Sequence, residues 1–538
     1  GVLSGATITV QGPMLLRDEL STVTDQEGKY YLSPLPAGEY TIKVRLPGFG
    51  SQLRQNLPIN INQEVVLDFR LKVSGITSSI EVASGPSLIE VSRSHVESRI
   101  TTETIKALPL NGRNFVDLIG LVAGAKPEPS GSKGNNVSIF GERGAAISYI
   151  VDGGDNNDPL SGGEFQRFTQ DSIREFEVIT TGYEAELGRA QGGIVNIITH
   201  SGANQWYGTG LLFMRNDSLD TSNVPDQNVP RLRREQWGGT FGGPLKRDKT
   251  FFFGSLEFFR EKRGVNIDRS KIPPYLLDGS GTPSGLENFN IGPGTDDYTT
   301  LFRVDHSLND DNKLYAMFNR NQENVSGEIN SPIAGTVALP SAERSEQRSN
   351  NSLSLHEQWT MTPFTFLETK GKFIEGQLGT NLNRTERLEP ILHLLKSGFL
   401  QTSAPFGGKN RRDISRFQMS QNLSHLVTDW GGDHLLKIGW DWNRVTLEGF
   451  NEVTNDVEYS AAFLEPNQSE IMQEMFQNFG FEQAAARFFT LSGNPDNSLN
   501  LDMTNHDIAF FLQDSWRIRD NFTVDLGFRY DHSTLFSA

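Results

Sequence analysis

Toward the end of the chain, hydrophobic and polar side chains alternate with a period of two. Phe522, Val524, Leu526, Phe528 and Tyr530 fall on one side, and Thr523, Asp525, Gly527 and Arg529 on the other. That is the pattern of a strand with a single apolar face. The preceding run repeats it, with Ile508, Phe510, Leu512, Trp516 and Ile518 against Ala509, Gln513, Ser515 and Arg517. A turn of a few residues, Arg519 to Asn521, joins the two into a hairpin. Asp514 breaks the rule by falling on the apolar side, and the pattern offers no reason for it.

The same alternation predicts about eleven strands after residue 205, near 206–215, 234–243, 250–261, 298–307, 312–321, 349–360, 364–377, 415–428, 434–446, 506–518 and 521–531. The links between them alternate too. Short ones at Pro244 to Lys249, Asn309 to Asn312, Met361 to Pro363, Asp429 to Asp433 and Arg519 to Asn521 take turns with long ones. A transmembrane β-barrel requires this, with tight turns at one rim and long loops at the other. A soluble sandwich has no reason to alternate its loop lengths, although it would bury the same aromatics. Phe251, Phe252, Phe258, Phe259, Trp359, Trp440, Trp442, Trp516 and Tyr530 sit near strand ends, where interfacial girdles belong.

Composition narrows the field. With 36% hydrophobic residues and no run of about 18 apolar positions, a helical membrane protein is excluded. A barrel escapes that test because every second residue is polar. The chain has no cysteine, so neither disulfides nor thiolate metal sites are available. A net charge of −17 argues against nucleic acid as a partner. Acidic residues of the longest loop (Glu452, Asp456, Glu458, Glu465, Glu470, Glu474) read as solvated charge. The chain opens at Gly1 without a signal-like apolar core, and an odd strand count does not close a bacterial barrel. Both features predict a fragment.

Ahead of the strands lie three further units. Residues 1–72 hold short β-prone runs, Val2 to Val10, Ser21 to Thr24, Lys29 to Leu32, Gly38 to Leu46 and Val65 to Leu71, separated by turn chemistry. They predict a small antiparallel sandwich. The strings GATITVQG and TDQEGKYYLSPLPAGEYTIKVRLPGF resemble the carboxypeptidase regulatory-like domain, a transthyretin-like module that carries no catalytic residues with it. Residues 73–95 read as a linker in which Ile76, Thr77, Ser78, Ser79, Ile80, Glu81 and Val82 are β-prone. A partner could add such a strand to its own sheet edge. Residues 96–205 mix helix (Thr102 to Leu108, Asn114 to Leu121) with strand (Asn136 to Phe140, Ser148 to Val151, Arg174 to Thr180, Gly193 to Thr199).

Long motifs now come together. ALPLNGRNFVDLIGLVAG, YIVDGGDNND, REFEVITTGYEAELGRAQGGIVNIITHSGANQWYGTGLLFMRND, FGGPLKRDKTFFFGSLEFFR and FFLQDSWRIRDNFTVDLGFRYD are spread across the chain. Together they resemble the TonB-dependent outer-membrane receptors of the Oar-like group. The resemblance implies a mainly β architecture: the N-terminal sandwich, a small α/β plug at 96–205, and in 206–538 the first half of a barrel of about 22 strands. It also implies an outer-membrane transporter of a Gram-negative bacterium, without cofactor or enzymatic activity. Its partners would be outer-membrane lipid, an extracellular ligand and a TonB-ExbB-ExbD-type inner-membrane energising complex gripping Ile76 to Val82, with the N-terminal domain and short turns in the periplasm. Two alternatives stand beside this, a non-transporting surface protein for adhesion or secretion and a SusC-like glycan importer. A surface lipoprotein partner would favour the latter.

No catalytic constellation accompanies these motifs. Asp152, Asp155 and Asp158, with Asn156 and Asn157, place acids at relative positions 1, 4 and 7, where a calcium loop wants oxygens at 1, 3 and 5. A tight turn after the strand Ser148 to Val151 is the better reading. Gly192-Gly193 and the run at 131–134 lack the order of a phosphate loop, and His356-Glu357 lacks the second histidine of a zincin. Arg113, Arg143 and Arg189 stand in the plug motifs, and Glu257 shares the lumenal side of its strand with Ser255. These are candidates for ion pairs holding the plug to the barrel.

Overall fold

The structure, a computed structural model, describes residues 1–12, 15, 19–32, 35, 38–59, 65–73, 81–84, 96–101, 104–105, 112–127, 137–221, 229, 231–264, 294–328, 336–338, 344–382, 390–395, 398–403, 410–428, 430–452, 458–460, 489–490, 498–519 and 522–534. Its largest element is an antiparallel sheet of eleven strands. They are Tyr207–Asn216, Leu232–Lys246, Thr250–Arg263, Gly294–Ser307, Asn312–Glu328, Arg344–Thr362, Thr365–Leu382, Asn410–Val427, Asp433–Glu452, Ser498–Arg519 and Phe522–Ser533, each paired with the next in sequence.

These are the eleven strands expected, but several run further at their long-loop ends. The strand anticipated to begin at residue 506 begins at Ser498, and the one anticipated at 415 begins at Asn410. Alternation marks only the stretch in which one face meets an apolar medium. Beyond it the outward alternation ends: 410–413 is wholly polar and in 498–505 the apolar positions Leu499, Leu501 and Met503 take the opposite phase, while the ladder of backbone hydrogen bonds continues.

Within the belt the two faces differ sharply. Phe302, Phe373, Phe417, Phe510, Leu526 and Phe528 are exposed on one face, while Ser255, Leu301, Arg303, Met317, Lys372 and Gln513 are buried on the other. Asp514 gains its explanation here. Its carboxylate accepts from Nδ1 of His434 at 2.9 Å, and the histidine ring lies between Trp430 and Trp516 at the short-turn rim. An acid on the outer face is tolerated where it is paired at the polar boundary.

The N-terminal unit forms a five-stranded sheet in the order Leu20–Val23, Thr7–Gln11, Gly38–Arg45, Gln52–Ile59, Glu81–Ser84. Gln52–Ile59 was not expected, because Pro58 and a run of polar residues mask its alternation. Conversely, Lys29 to Leu32 and Val65 to Leu71 are extended without joining a ladder. They act as a cover instead: Tyr30, Leu32, Val65, Phe69 and Leu71 pack on the buried Ile8, Tyr40, Ile42 and Leu57, and the Tyr30 hydroxyl donates to the Leu67 carbonyl at 2.8 Å.

Residues 96–205 build a second five-stranded sheet, ordered Gly154–Asp155, Ile147–Val151, Gly193–Thr199, Ile173–Thr181, Val96–Thr101. The central pair, Gly193–Thr199 with Ile147–Val151, is parallel. The helix expected over Asn114 to Leu121 shortens to one turn, Val116–Ile119; most of the expected helix Thr102 to Leu108 falls outside the described residues, as do most acids of the longest loop. Parts of the long links also pair, joining Thr336–Ala338, Gly398–Ser403, Pro390–Leu395, Glu458–Ser460 and Phe489–Thr490 into a sheet of their own.

Candidate functional site on the inner face of the sheet

The strands Ile147–Val151, Ile173–Thr181 and Gly193–Thr199 are buried almost throughout, the second with Glu175 and Glu177 among its buried residues. What buries them is partly the large sheet. Phe253, Leu301, Tyr315 and Met317 belong to the same apolar cluster as Phe115, Tyr149, Phe176 and Val195. Side-chain contacts to the α/β unit come from strand after strand, from Ser255 (Thr169 Oγ1 to Ser255 Oγ, 2.5 Å) across to Arg529, which reaches the carbonyl of Glu186 at 2.9 Å. The sheet therefore curves around the unit.

Charge is concentrated where the two meet. After Val151 the chain turns through Asp152 and Gly153, with φ of 48° and 80°, and this aims the Asp152 carboxylate back at the sheet. It accepts from Thr199 N and Oγ1 at 3.0 and 2.7 Å and lies 3.7 Å from Arg303. Arg303 in turn pairs with Asp305 at 2.8 Å, donates to Thr199 Oγ1 at 3.1 Å, and stacks 3.8 Å from the centre of the Tyr315 ring. Asn157 closes the turn by accepting from Tyr149 N and donating to the carbonyls of Ile147 and Gly162. The acidic run is thus a stitched turn, and among the described residues no trio of acids and histidines is placed to hold a metal.

The arginines singled out from the sequence part company. Arg113 lies 2.8 Å from Asp171 of its own unit and 3.6 Å from Glu257, whose other oxygen accepts from Gln236. Arg189 lies 3.2 Å from Asp507 on the tenth strand. Both adopt positive φ, 53° and 64°, a conformation that costs a non-glycine residue about 1–2 kcal/mol. Arg143 does not follow the expectation. It is exposed and makes no ion pair among the described residues, because its turn uses the backbone: the Arg143 carbonyl accepts from Ala146 N at 2.8 Å.

Other charged groups were missed. Arg167 lies 2.9 Å from Asp297, 3.5 Å from Glu323 and 3.6 Å from Glu164. Burial pushes Glu164 up to about 7, against the pull of Arg167 and Arg348, with Glu323 and Asp117 adding to the rise. Lys437 lies 2.7 Å from Glu184 and 3.6 Å from Glu186. A signal existed for the sheet residues: Arg303, Lys372 and Lys437 all fall on the polar side of the alternation. For Arg167 and Glu164, on an irregular segment, periodicity says nothing.

Of the segment Ile76 to Val82, residues Ile76, Thr77, Ser78, Ser79 and Ile80 lie outside the described residues. Glu81 and Val82 begin the strand that runs parallel to Gln52–Ile59, with Glu81 opposite Gln52 and Val82 opposite Leu53. The N-terminal unit also touches the large sheet, through Lys29 and Asp433 at 2.9 Å. A cavity of about 990 Å³ lies between the N-terminal unit, the α/β unit and the sheet's inner face.

An eleven-stranded antiparallel sheet with an apolar outer face, curved around a unit it binds through buried charge, is the architecture of a membrane β-barrel with a filled interior. The model of the outer membrane beta barrel domain matches residues 198–282 and 274–538, and the chain belongs to that family. It is a protein of the Gram-negative outer membrane. Residues 1–72 match the carboxypeptidase regulatory-like domain. The TonB-dependent transporter Oar of Myxococcus xanthus is 22% identical over 99% of this chain and 56% of its own length, so the chain spans little more than half of that relative. In fold it is similar to the outer membrane transporter YddB of Escherichia coli (TM-score 0.56, 13% identity, 81% of this chain and 56% of that one). It is also similar to the siderophore receptor PirA of Acinetobacter baumannii (TM-score 0.55, 15% identity, 84% and 58%).

Proposed function

We propose that the chain belongs to a TonB-dependent outer-membrane transporter that takes up an extracellular ligand with energy supplied from the inner membrane. In this reading residues 96–205 are a plug and residues 206–538 contribute half of a barrel of about 22 strands, a lumen too wide to be sealed by side chains alone. Residues 1–72 are a periplasmic appendage, and 73–95 carry the segment that the energising partner grips by strand addition. The observation that carries the proposal is the α/β unit seated on the inner face, sharing its apolar core with the wall while buried ions line the seam. Such a seam is stable at rest yet yields piecewise to a pull. Arg113 with Glu257, and Arg189 with Asp507, are proposed as parts of that seam.

Deleting residues 76–82 from the protein in its native membrane tests this. The expected outcome is loss of growth on whichever nutrient requires the receptor, with barrel abundance unchanged. Growth that depends on the receptor but survives the deletion would remove Ile76 to Val82 as the contact. The rival reading, a surface protein displaying loops for adhesion or secretion, draws on the small sheet formed by the long links, and it predicts surface attachment that is indifferent to the deletion.

A further inference from the structure

Four cations on the inner face descend toward the short-turn rim. Following the antiparallel register, Arg416 stands opposite Ile374, and Lys372 is two residues nearer the rim on that strand. Arg529 aligns through Phe511, Gly439 and Asn422 with Glu368, and Lys437 aligns through Ser424 with Phe366. From the level of Arg416 to that of Lys437 is eight residues, about 27 Å along the strands. The row spans much of the belt.

What these cations touch is the α/β unit, and they touch it as they would touch an anion. Lys372, 5% exposed, has among the described residues one hydrogen bond, to the carbonyl of Asp155 at 3.2 Å. Arg416, whose side chain is 3% exposed, lies 3.4 Å from Oδ2 of Asp155, and its Nε and Nη1 find no hydrogen-bond acceptor among the described residues. Arg529 donates to the carbonyls of Ala185 and Glu186 at 3.3 and 2.9 Å, besides pairing with Asp441 and Asp531. Lys437 is neutralised by Glu184 and Glu186. A buried ammonium offers three donors and a guanidinium five, so Lys372 and Arg416 are far from satisfied. Withdrawing the segment that faces them would remove these acceptors and leave the cations to water or to another anion.

We propose that Arg416, Lys372, Arg529 and Lys437 are a track for an anionic cargo bearing carboxylate or phosphate groups, and that Asp155 and the Glu184–Glu186 segment occupy it as stand-ins until they are withdrawn. The proposal rests on the transport reading, since it assigns the chemistry of the solute that passes when the plug moves. Withdrawal and entry of cargo are then exchanges of one anion for another, which keeps the wall cations compensated throughout.

Citrate and inorganic pyrophosphate serve as probes, titrated calorimetrically into the detergent-purified full chain, with spermine as the cationic control. In the triple variant Asp155→Asn, Glu184→Gln, Glu186→Gln, affinity for an anion should rise at least 10-fold over the parent, and spermine should show no gain. A rise for citrate alone assigns carboxylates; a rise for pyrophosphate alone assigns phosphate. Adding Lys372→Gln and Arg416→Gln should abolish the gain. A folded triple variant no tighter than the parent, or a gain that survives loss of the two cations, overturns the track. Should the triple variant not fold, amide exchange in the unaltered chain decides: citrate should speed exchange at residues 152–158 and 182–190 relative to sodium chloride of equal ionic strength, and equal rates overturn the proposal. Binding in detergent needs no energy source. Failure here with deletion-sensitive uptake sinks the anion track alone, whereas anion binding with uptake indifferent to residues 76–82 sinks the transport reading alone.

Discussion

The two units that precede the large sheet are each built around five strands, yet they are tied to the rest of the molecule in opposite ways. The N-terminal unit closes its own core: Ile8, Val10, Tyr40, Ile42, Val44 and Leu57 are covered by its own extended segments, and its ion pair with the wall, Lys29 to Asp433, is part exposed. The α/β unit leaves its core open on one side and completes it with Phe253, Leu301, Tyr315 and Met317 of the wall. Its charges follow suit, with Arg303 and Asp152 buried at the seam and Arg167 half-buried beside Asp297. One unit is appended and the other is assembled in place.

The largest test of that contrast is the shared core. Phe253 is fully buried between wall and unit, so Phe253→Ala should destabilise the seating of the α/β unit by about 3–5 kcal/mol. Limited proteolysis between residues 96 and 205 should accelerate while residues 1–72 keep their resistance. Equal sensitivity of both units would dissolve the distinction.

Arg303→Met comes next. It strands Asp152 and Asp305 without their cation in a buried site, and loss of one partner from such a network costs about 3–5 kcal/mol. The expected readout is a lower unfolding temperature for the α/β unit, read by tyrosine fluorescence, with the strand signal in circular dichroism unchanged.

A smaller effect is expected from pH. Folding raises Glu164 from 4.5 to about 7, mainly through burial. The folded state therefore holds this proton more tightly than the unfolded chain. The associated stability is fully present below about pH 4.5 and is lost as pH rises through 7, amounting to at most about 3 kcal/mol. Denaturant midpoints of the unit measured at pH 5 and pH 8 should differ in that sense, and Glu164→Gln should flatten the difference. A midpoint rising with pH in the parent would refute the assignment.

The smallest effect belongs to the appended unit. Lys29 is part exposed in its pair with Asp433, and surface pairs contribute about 0–1 kcal/mol. Lys29→Ala should leave the melting of both units within error and only loosen residues 1–72 from the rim, seen as modestly faster limited proteolysis of residues 1–72. A shift of several degrees in the melting of the α/β unit would mean that the appended unit supports it.

How much of this could be read beforehand follows from what periodicity records. Alternation reports contact with an apolar medium, so it located all eleven strands and their faces while missing polar extensions such as Asn410 to Asp413. It also placed Glu257 on the correct side of its strand, next to the buried Ser255. It could not foresee that Arg143 would face solvent while Arg113 and Arg189 reached carboxylates, since all three stand in similar glycine-rich surroundings and only the seating of the unit separates them.

The chain by itself determined which residues become strand, which side of each strand is apolar and where the tight turns fall, because these depend on neighbours two positions apart and on local turn chemistry. Tertiary structure alone decided the partners of the buried charges, the pairing of Asp514 with His434 and of Asp155 with Arg416, and the bond from Lys372 to the Asp155 carbonyl. Those pairs join residues up to hundreds of positions apart. Coulomb attraction selects a partner by distance in space, and that distance exists only once the sheet has curved around the unit it holds.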